Sequence, residues 1–291
     1  MTFFTETHKV PNEISPIRLQ EYGVGIFDAC STKSALKKAL KRQHIQVNGK
    51  IATSATIIDG GEKISLYIPE EQKTLKKLIF PLQVLFEDEH LALIHKPAGI
   101  LVNGNRFKTI ANALPQKLKQ SNLFDATRPQ PVHRLDYATT GILMIGKTRS
   151  SIRLLNGMFE EKKIQKIYYA VSIGEMNDFG KINSEIGGKP SETIYSVCNS
   201  VPSERFTRLN LVQLKPKTGR RHQLRKHLSG IGNPILGDKK YGTEGLILNG
   251  KGLYLHAFSL EFEHPFTGEK VKIEDGLPKK FSKIFSRKEE S

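Results

Sequence analysis

Residues 131–148 of the chain read PVHRLDYATTGILMIGKT, a polar turn carrying one carboxylate that runs straight into an apolar stretch. Ile142, Leu143, Met144 and Ile145 have no polar residue alternating with them, which is the pattern of a strand buried on both faces inside a large sheet. The turn Thr139-Thr140-Gly141 therefore delivers Asp136, with Arg134 beside it, to the edge of a central strand, and loops on a rigid scaffold are where chemistry is usually carried. Gly141 to Thr148 also matches the phosphate-loop pattern G-x-x-x-x-G-K-[ST] letter for letter. A phosphate loop exposes consecutive backbone N–H groups through small residues, whereas this one is filled by bulky apolar side chains and follows no apolar strand, so nucleotide hydrolysis is rejected. His133-Arg134-Leu135-Asp136 is not a kinase catalytic loop either, because the His-Arg-Asp order, the downstream Asn, the glycine-rich loop and the metal-binding Asp are missing.

Outward from this stretch the pattern is rich in strands. VLFEDEHLALIHKP (84–97) reads as a hairpin, and IYYAVSI (167–173), TRLNLVQLKP (207–216) and LYLHAFSLEF (253–262) read as further strands. Ile152, Leu155, Met158 and Phe159 recur at helical spacing after Arg149, and a second helix is expected to begin near Thr218 with Leu224 and Leu228 inward. The order is mixed rather than strictly alternating, which predicts an α+β fold: a large, mixed, mostly antiparallel sheet at residues 82–280. The last residues, 281–291, are expected to be a basic tail.

Upstream lies a smaller block, 14–70, expected to be a small α/β domain. Ser31 or Thr32 can cap a helix whose apolar face is Leu36, Ala39 and Leu40, and Asn48-Gly49 is a strong hairpin signal. Between Ser31 and Lys50 stand six Lys or Arg, including Lys33, Lys37, Lys41, Arg42 and Lys50, and no acid. A merely solvated helix face mixes its signs, so this one points to an anionic partner. Residues 1–13 show no apolar periodicity and are expected to be a loose lead-in, and the charged stretch 71–81 a linker.

Composition bounds the function. The 291 residues hold 45 Lys and Arg against 29 Asp and Glu, a formal net charge of +16. That excess implies an anionic partner, polyphosphate backbones first of all. No window is apolar enough to span a membrane, two cysteines make no disulfide framework, and the first residues lack a basic segment followed by an apolar one, so a cytoplasmic monomer is expected. His133, Asp136, His222, His227 and His256 lack metal-ligand spacing, so no metal is expected.

Alone, an Asp before a turn is a turn residue. Two other elements give Asp136 its weight. Lys166-Ile167-Tyr168-Tyr169-Ala170 opens a strand in which period 2 sends the two tyrosines to opposite faces, so at most one looks at a site. KPKTGRRHQLRKH (215–227) holds six Lys or Arg and no acid at a helix start, an arrangement suited to binding anions.

At this point the sequence resembles a known family. PVHRLDYATTG is similar to the H-R-L-D-x-x-T-[ST]-G motif of RluA-type pseudouridine synthases, KIYYA to their K-x-Y-x-A, and KTGRRHQLRKH to T-G-R-x-H-Q-[IL]-R-x-H. NPILGDKKYG and the Lys-Pro-x-Gly after the opening hairpin agree, so that the resemblance spans roughly residues 82–265. Residues 14–70 resemble the small αL-type RNA-binding domain of a ribosomal small-subunit protein through Val47-Asn48-Gly49-Lys50, although Arg18-Leu19-Gln20 replaces the usual Arg-Leu-Asp. Thr140 and Arg221 are mild departures from the catalytic motifs.

The resemblance implies an RNA uridine isomerase that needs no cofactor. Asp136 would be the nucleophile, or would assist cleavage electrostatically and take a sugar proton. Tyr168 would stack on the flipped base, with its hydroxyl a candidate base toward C5, and Arg225 would pair with Asp136. Arg134, His133, Lys147, Lys166, Arg220, Arg221 and His222 are expected to contact RNA, together with the five cations of the upstream block. Ribosomal RNA is the favoured substrate and transfer RNA the alternative. A noncatalytic RNA-binding assembly factor is the reading from another class.

Overall fold

The computed structural model describes residues 3–30, 32–69 and 78–285. The chain divides into two compact units that meet in sequence between Lys76 and Lys77.

In the first unit β1 (Phe3–Lys9), β2 (Ile17–Arg18), α1 (Leu19–Tyr22), α2 (Lys33–Lys41), β3 (Ile45–Val47), β4 (Lys50–Ile51), β5 (Ile57–Ile58) and β6 (Lys63–Pro69) follow one another. The strand order is β1-β6-β3-β4, with β2 and β5 forming a separate pair. Thr32 Oγ1 caps α2 by accepting from Ala35 N at 3.2 Å, which turns Leu36 and Leu40 onto Ile45, Ile64 and Leu66 in the core. Asn48 and Gly49 take φ of 48° and 78°, the two left-handed residues that a tight hairpin turn requires.

The loose lead-in expected at 1–13 is corrected: Phe3–Lys9 pairs along its whole length with β6. Its anchoring groups are polar, so hydropathy did not reveal it. Glu6 accepts from the backbone of Asp28 and Ala29 at 2.8 and 3.0 Å, and His8 Nε2 is 2.8 Å from the Tyr22 hydroxyl. Residues 71–77 of the expected linker, with residue 70 before it, lie outside the described residues. Leu78 and Phe80, also within that stretch, pack on the second unit's core.

The second unit contains β7 (Gln83–Glu87), β8 (Leu91–Lys96), α3 (Ile110–Ala113), β9 (Ala126–Pro131), β10 (Thr140–Thr148), α4 (Arg149–Glu160), β11 (Gln165–Ile173), β12 (Phe179–Asn183), β13 (Glu192–Ser203), β14 (Thr207–Pro216), α5 (Gln223–Gly230), β15 (Leu255–Glu263), β16 (Lys270–Glu274) and α6 (Lys279–Phe285). Its sheet runs β12-β13-β14-β11-β15-β10-β8-β7, with β16 beside β15 and β9 beside β10. The α+β expectation holds. Every pairing in the sheet is antiparallel except β10 with β15, which touch in parallel only at Thr140–His256 and Gly141–Ala257.

That brief contact explains the glycine in the Thr-Thr-Gly turn. Gly141 has φ +112°, and a Cβ there would lie 2.1 Å from the Ala257 carbonyl oxygen, a separation no side chain tolerates. Beyond the crossing, β10 pairs with β9 and β15 with β16, so the central sheet splits.

Ile142 to Ile145 are all fully buried. Thr148 caps α4: its hydroxyl accepts from Ser151 N at 3.0 Å, and Ser151 Oγ accepts from Thr148 N at 3.1 Å. The segment that spells a phosphate loop is thus a core strand and a helix cap. At the other end, α6 crosses the boundary drawn at residue 281. Phe281 is 1% exposed and packs on Tyr254, so the basic tail is corrected to a docked helix as far as Phe285; residues 286–291 lie outside the described residues. Among the described residues, no helix is long and apolar enough to cross a membrane.

Candidate active site

Asp136 sits on the loop between β9 and β10, and the neighbouring backbone is held from below. Lys96, at the end of β8, is completely buried. Its ammonium donates to the carbonyls of Pro97 at 2.9 Å, Thr139 at 2.8 Å and Tyr137 at 3.4 Å. Burial pushes its pKa down to about 8, against the pull of the Asp136 carboxylate. Thr139 N closes the turn on Asp136 O at 3.1 Å and Gly99 N donates to Tyr137 O at 2.8 Å. The loop is therefore fixed through its backbone while the carboxylate, 19% exposed, stays accessible.

Upstream, His133 fills the place where β9 peels away from β10. Its Nε2 accepts from Met144 N at 2.9 Å. Burial, with Lys166 nearby, pushes its pKa down to about 3, so the ring is neutral and free to accept. Its ring lies 4.6 Å from that of Phe159.

Tyr168 enters from β11 and lines the same cleft. Tyr169 points the other way, accepting from Gln213 Nε2 at 3.0 Å and meeting Phe258 edge-on, as period 2 requires. Burial and the Asp136 charge raise the Tyr168 phenol well above its usual range. The local electrostatics thus oppose a standing phenolate.

The third element is the turn into α5, which starts at Gln223 rather than near Thr218 because Gln223 staples the preceding residues. Its Oε1 accepts from Thr218 Oγ1 at 2.7 Å and Arg220 N at 3.0 Å, and its Nε2 donates to Glu192 O at 2.8 Å. His222 precedes the helix in a left-handed conformation, φ 58°. Its Nδ1 is 2.8 Å from the Tyr241 hydroxyl and its Nε2 3.7 Å from Asp136 Oδ1. Burial lowers its pKa more than Asp136 raises it.

Arg225, one turn into α5, meets Asp136 Oδ2 through Nη1 at 3.4 Å. Its shorter bonds go elsewhere, since Nε and Nη2 each donate to Asp238 at 2.7 Å. Asp238 is fully buried, and its Oδ1 also accepts from the backbone of Lys240 and Tyr241. Burial would raise its pKa, but Arg225 and those N–H groups outweigh it and hold the carboxyl below its usual range. Arg225 is thus a fork clamped by one carboxylate and aimed at another, a geometry available to a guanidinium and not to an ammonium. Its face also covers the Tyr241 ring at 5.0 Å.

Together these groups line a cleft of about 310 Å³ with Asp136, Tyr168, His222 and Arg225 on its wall and Arg134, Arg220 and Arg221 about it. Six of the site residues expected in this unit converge there with Asp136: Arg134, Tyr168, Arg220, Arg221, His222 and Arg225. His133 and Lys166 line an adjoining cavity of about 440 Å³. Lys147 is a correction: it is 2% exposed, pairs with Glu87 at 2.8 Å and bonds to the Asp88 carbonyl. It is a core cation that joins β10 to β7 and cannot reach RNA. Lys33, Lys37, Lys41, Arg42 and Lys50 are exposed on the first unit, with Lys33 paired to Glu21 at 2.5 Å.

Sequence reasoning missed Asp238 and the role of Lys96. A signal for the first existed, since Asp238 is the only acid between Lys215 and Gly242.

Residues 90–230 match the family model described as RNA pseudouridylate synthase. Ribosomal large subunit pseudouridine synthase D of Nitrosomonas europaea is 32% identical over 92% of this chain and 83% of its own. Ribosomal large subunit pseudouridine synthase C of Rickettsia bellii is 32% identical over 93% of this chain and 98% of its own. Among solved structures, human RNA pseudouridylate synthase domain containing 4 superposes with a TM-score of 0.56 at 26% identity, covering 68% of this chain and 90% of that one.

Proposed function

The chain belongs to the RNA pseudouridylate synthase family and isomerises uridine to pseudouridine in RNA, and from that premise we propose that its substrate is large-subunit ribosomal RNA and that Asp136, Tyr168 and Arg225 carry the reaction. The relatives named above favour the ribosomal substrate over transfer RNA. The observation that carries the site is the convergence of these three side chains, from a loop, a strand and a helix far apart in sequence, on one cleft.

The reaction breaks N1–C1′, turns the base and joins C5 to C1′; one proton leaves C5 and one is taken up at the freed N1, so the atomic composition of the RNA is unchanged. The target base must first leave its stack, at a cost of a few kcal/mol, and stacking on an aromatic ring returns about 1–3 kcal/mol. Tyr168 supplies that ring and a protonated hydroxyl beside the base. Asp136 engages the sugar as the glycosidic bond opens. Arg225, clamped by Asp238, keeps the carboxylate aimed. Arg134, Arg220 and Arg221 meet the phosphates around the cleft, and Lys33, Lys37, Lys41, Arg42 and Lys50 give the first unit an RNA-binding face of its own. The protein works in the cytoplasm, where ribosomal RNA is made in bacteria such as the organisms of the named relatives.

The test is tritium release from C5-labelled uridine in unmodified ribosomal and transfer RNA transcripts. Wild type should release tritium from a large-subunit ribosomal transcript, and Asp136→Asn should release none while binding RNA normally. Release from transfer RNA alone would overturn the substrate assignment. Substantial turnover by Asp136→Asn would remove Asp136 from the reaction.

A further inference from the structure

Beside the cleft that holds Asp136 lies the second cavity, of about 440 Å³, which shares Arg134, Tyr168, Pro216, Thr218, Gly219 and Arg220 with it. Nothing in the uridine chemistry uses this space. Its wall carries five cations, Arg134, Lys162, Lys166, Lys217 and Arg220, against one acid, Glu160. Lys166 lies within the field of Lys162, which together with burial lowers its pKa, so an anion placed between them relieves a repulsion already present. The remaining wall carries two rings, Phe159 and the neutral His133, tilted by 32° with centroids 4.6 Å apart, and the Lys166 ammonium stands 5.8 Å from the Phe159 centroid.

Lys162 supplies an independent observation. It stands just past α4 with φ +60°, and its N–H closes the helix end on Phe159 O at 3.3 Å while Lys163 N bonds Met158 O at 2.9 Å. This helix-ending position favours glycine, because any Cβ there is strained. A lysine held in a strained conformation at the rim of a cationic cavity points to a functional demand on its side chain. Lys162 and Lys217 also line a further cavity of about 410 Å³ on the far side, so the groove continues past them.

We propose that this cavity is a subsite for the nucleotide adjoining the target uridine, its phosphodiester held between Lys162 and Lys217 and its base laid against Phe159 and His133. The assignment rests on the RNA-modifying reading above. A volume near 440 Å³ lies within the range of sites that enclose ligands of nucleotide size, roughly 300–1,000 Å³. An apolar ring beside a cationic rim is the arrangement that binds single-stranded nucleotides without reading their sequence. The subsite would thus hold the strand in register while the uridine is turned, and would select for an unpaired neighbour.

The decisive variant is Lys162→Gly, because glycine suits the backbone there: its Tm should be no lower than wild type, while its Kd for RNA rises about tenfold. The log-log salt slope should fall by about 0.7, the change for one single-strand phosphate contact. The probe is a synthetic oligoribonucleotide bearing the uridine that the wild-type enzyme modifies. With one flanking linkage made a neutral methylphosphonate, wild type should lose about tenfold in affinity, and Lys162→Gly, left with Lys217 alone at that phosphate, should lose markedly less. 4-Thiouridine at the same neighbour should photocrosslink to residues 157–166. Lys162→Gly binding as tightly as wild type, or crosslinks from both neighbours falling wholly outside residues 133–134, 157–166 and 216–220, would overturn the subsite. Failure of wild type to bind or modify any RNA would instead overturn the underlying functional reading, and the subsite with it.

Discussion

Replacing Asp238 by Asn tests how Arg225 is aimed. The wild-type carboxylate is fully buried and takes two 2.7 Å bonds from an Arg225 side chain only 11% exposed. Breaking a buried ion pair by neutralising one partner costs about 3–5 kcal/mol. Asn keeps the shape and one acceptor oxygen, so the lower end, about 3 kcal/mol, is expected. A unit of this size loses roughly 2–4 °C of Tm per kcal/mol, giving a fall of about 6–12 °C at pH 7. The folded-state pKa of Asp238 is lowered, so its stabilisation is present above the unfolded value of about 3.9 and is lost as pH falls through the lower folded value. The Tm gap between wild type and Asp238→Asn should therefore be full at pH 7 and shrink below about pH 4. Released from its clamp, the guanidinium would swing toward Asp136, its other carboxylate partner at 3.4 Å. A displacement of about 1 Å in an aligned site costs on the order of 10²-fold in rate. Thermal melts followed by circular dichroism, with single-turnover tritium release on the same preparations, measure both effects. A Tm within 2 °C of wild type together with unchanged turnover would refute the clamp, and a Tm gap constant down to pH 3 would refute its electrostatic origin.

Three further outcomes are expected. Gly141→Ala would drive a methyl to 2.1 Å from the Ala257 carbonyl at φ +112°, so soluble yield or Tm should collapse by more than the equivalent of about 3 kcal/mol; a normal melt would show that the crossing of β10 and β15 is not as tight as described. Single-turnover rate should decline on the alkaline side near pH 8, where Lys96 loses the proton that secures the Asp136 loop, and should gain nothing from phenol ionisation because the Tyr168 pKa is raised; a rate still flat or rising at pH 9.5 contradicts both. Deleting residues 1–72 should weaken RNA binding and lower its salt slope by about 0.7–0.9 per lost phosphate contact, whereas an unchanged slope would detach the first unit's cations from RNA.

Asp136, Tyr168 and Arg225 could be picked out before any coordinates through the resemblance of three short runs to the motifs of a known family; the local physics of the runs marks the places but does not choose among their residues. These runs are a polar turn before an apolar strand, a tyrosine pair that must split across a sheet, and an acid-free basic segment at a helix start. The strands read from hydropathy appear where apolar residues cluster or alternate, as in Ile142–Ile145. Those that escaped are polar. β1 is held by Glu6 and His8, and β13 reads ETIYSVCNSVPS, so neither carries a period that hydropathy can detect.

What the sequence determined by itself is therefore local: the caps of α2 and α4, the Asn48-Gly49 turn, the buried run of β10, and the residue types that chemistry demands. Tertiary structure alone decided which charges face which. Lys147 and Lys96 are both lysines at the ends of apolar strands. Yet Lys147 is neutralised in the core by Glu87, while Lys96 is turned under the loop of Asp136. Arg225 is aimed by Asp238, and Gly141 is required by a carbonyl that belongs to Ala257. Electrostatic pairing and steric exclusion depend on distances through space, and a linear chain carries those distances only once it has folded.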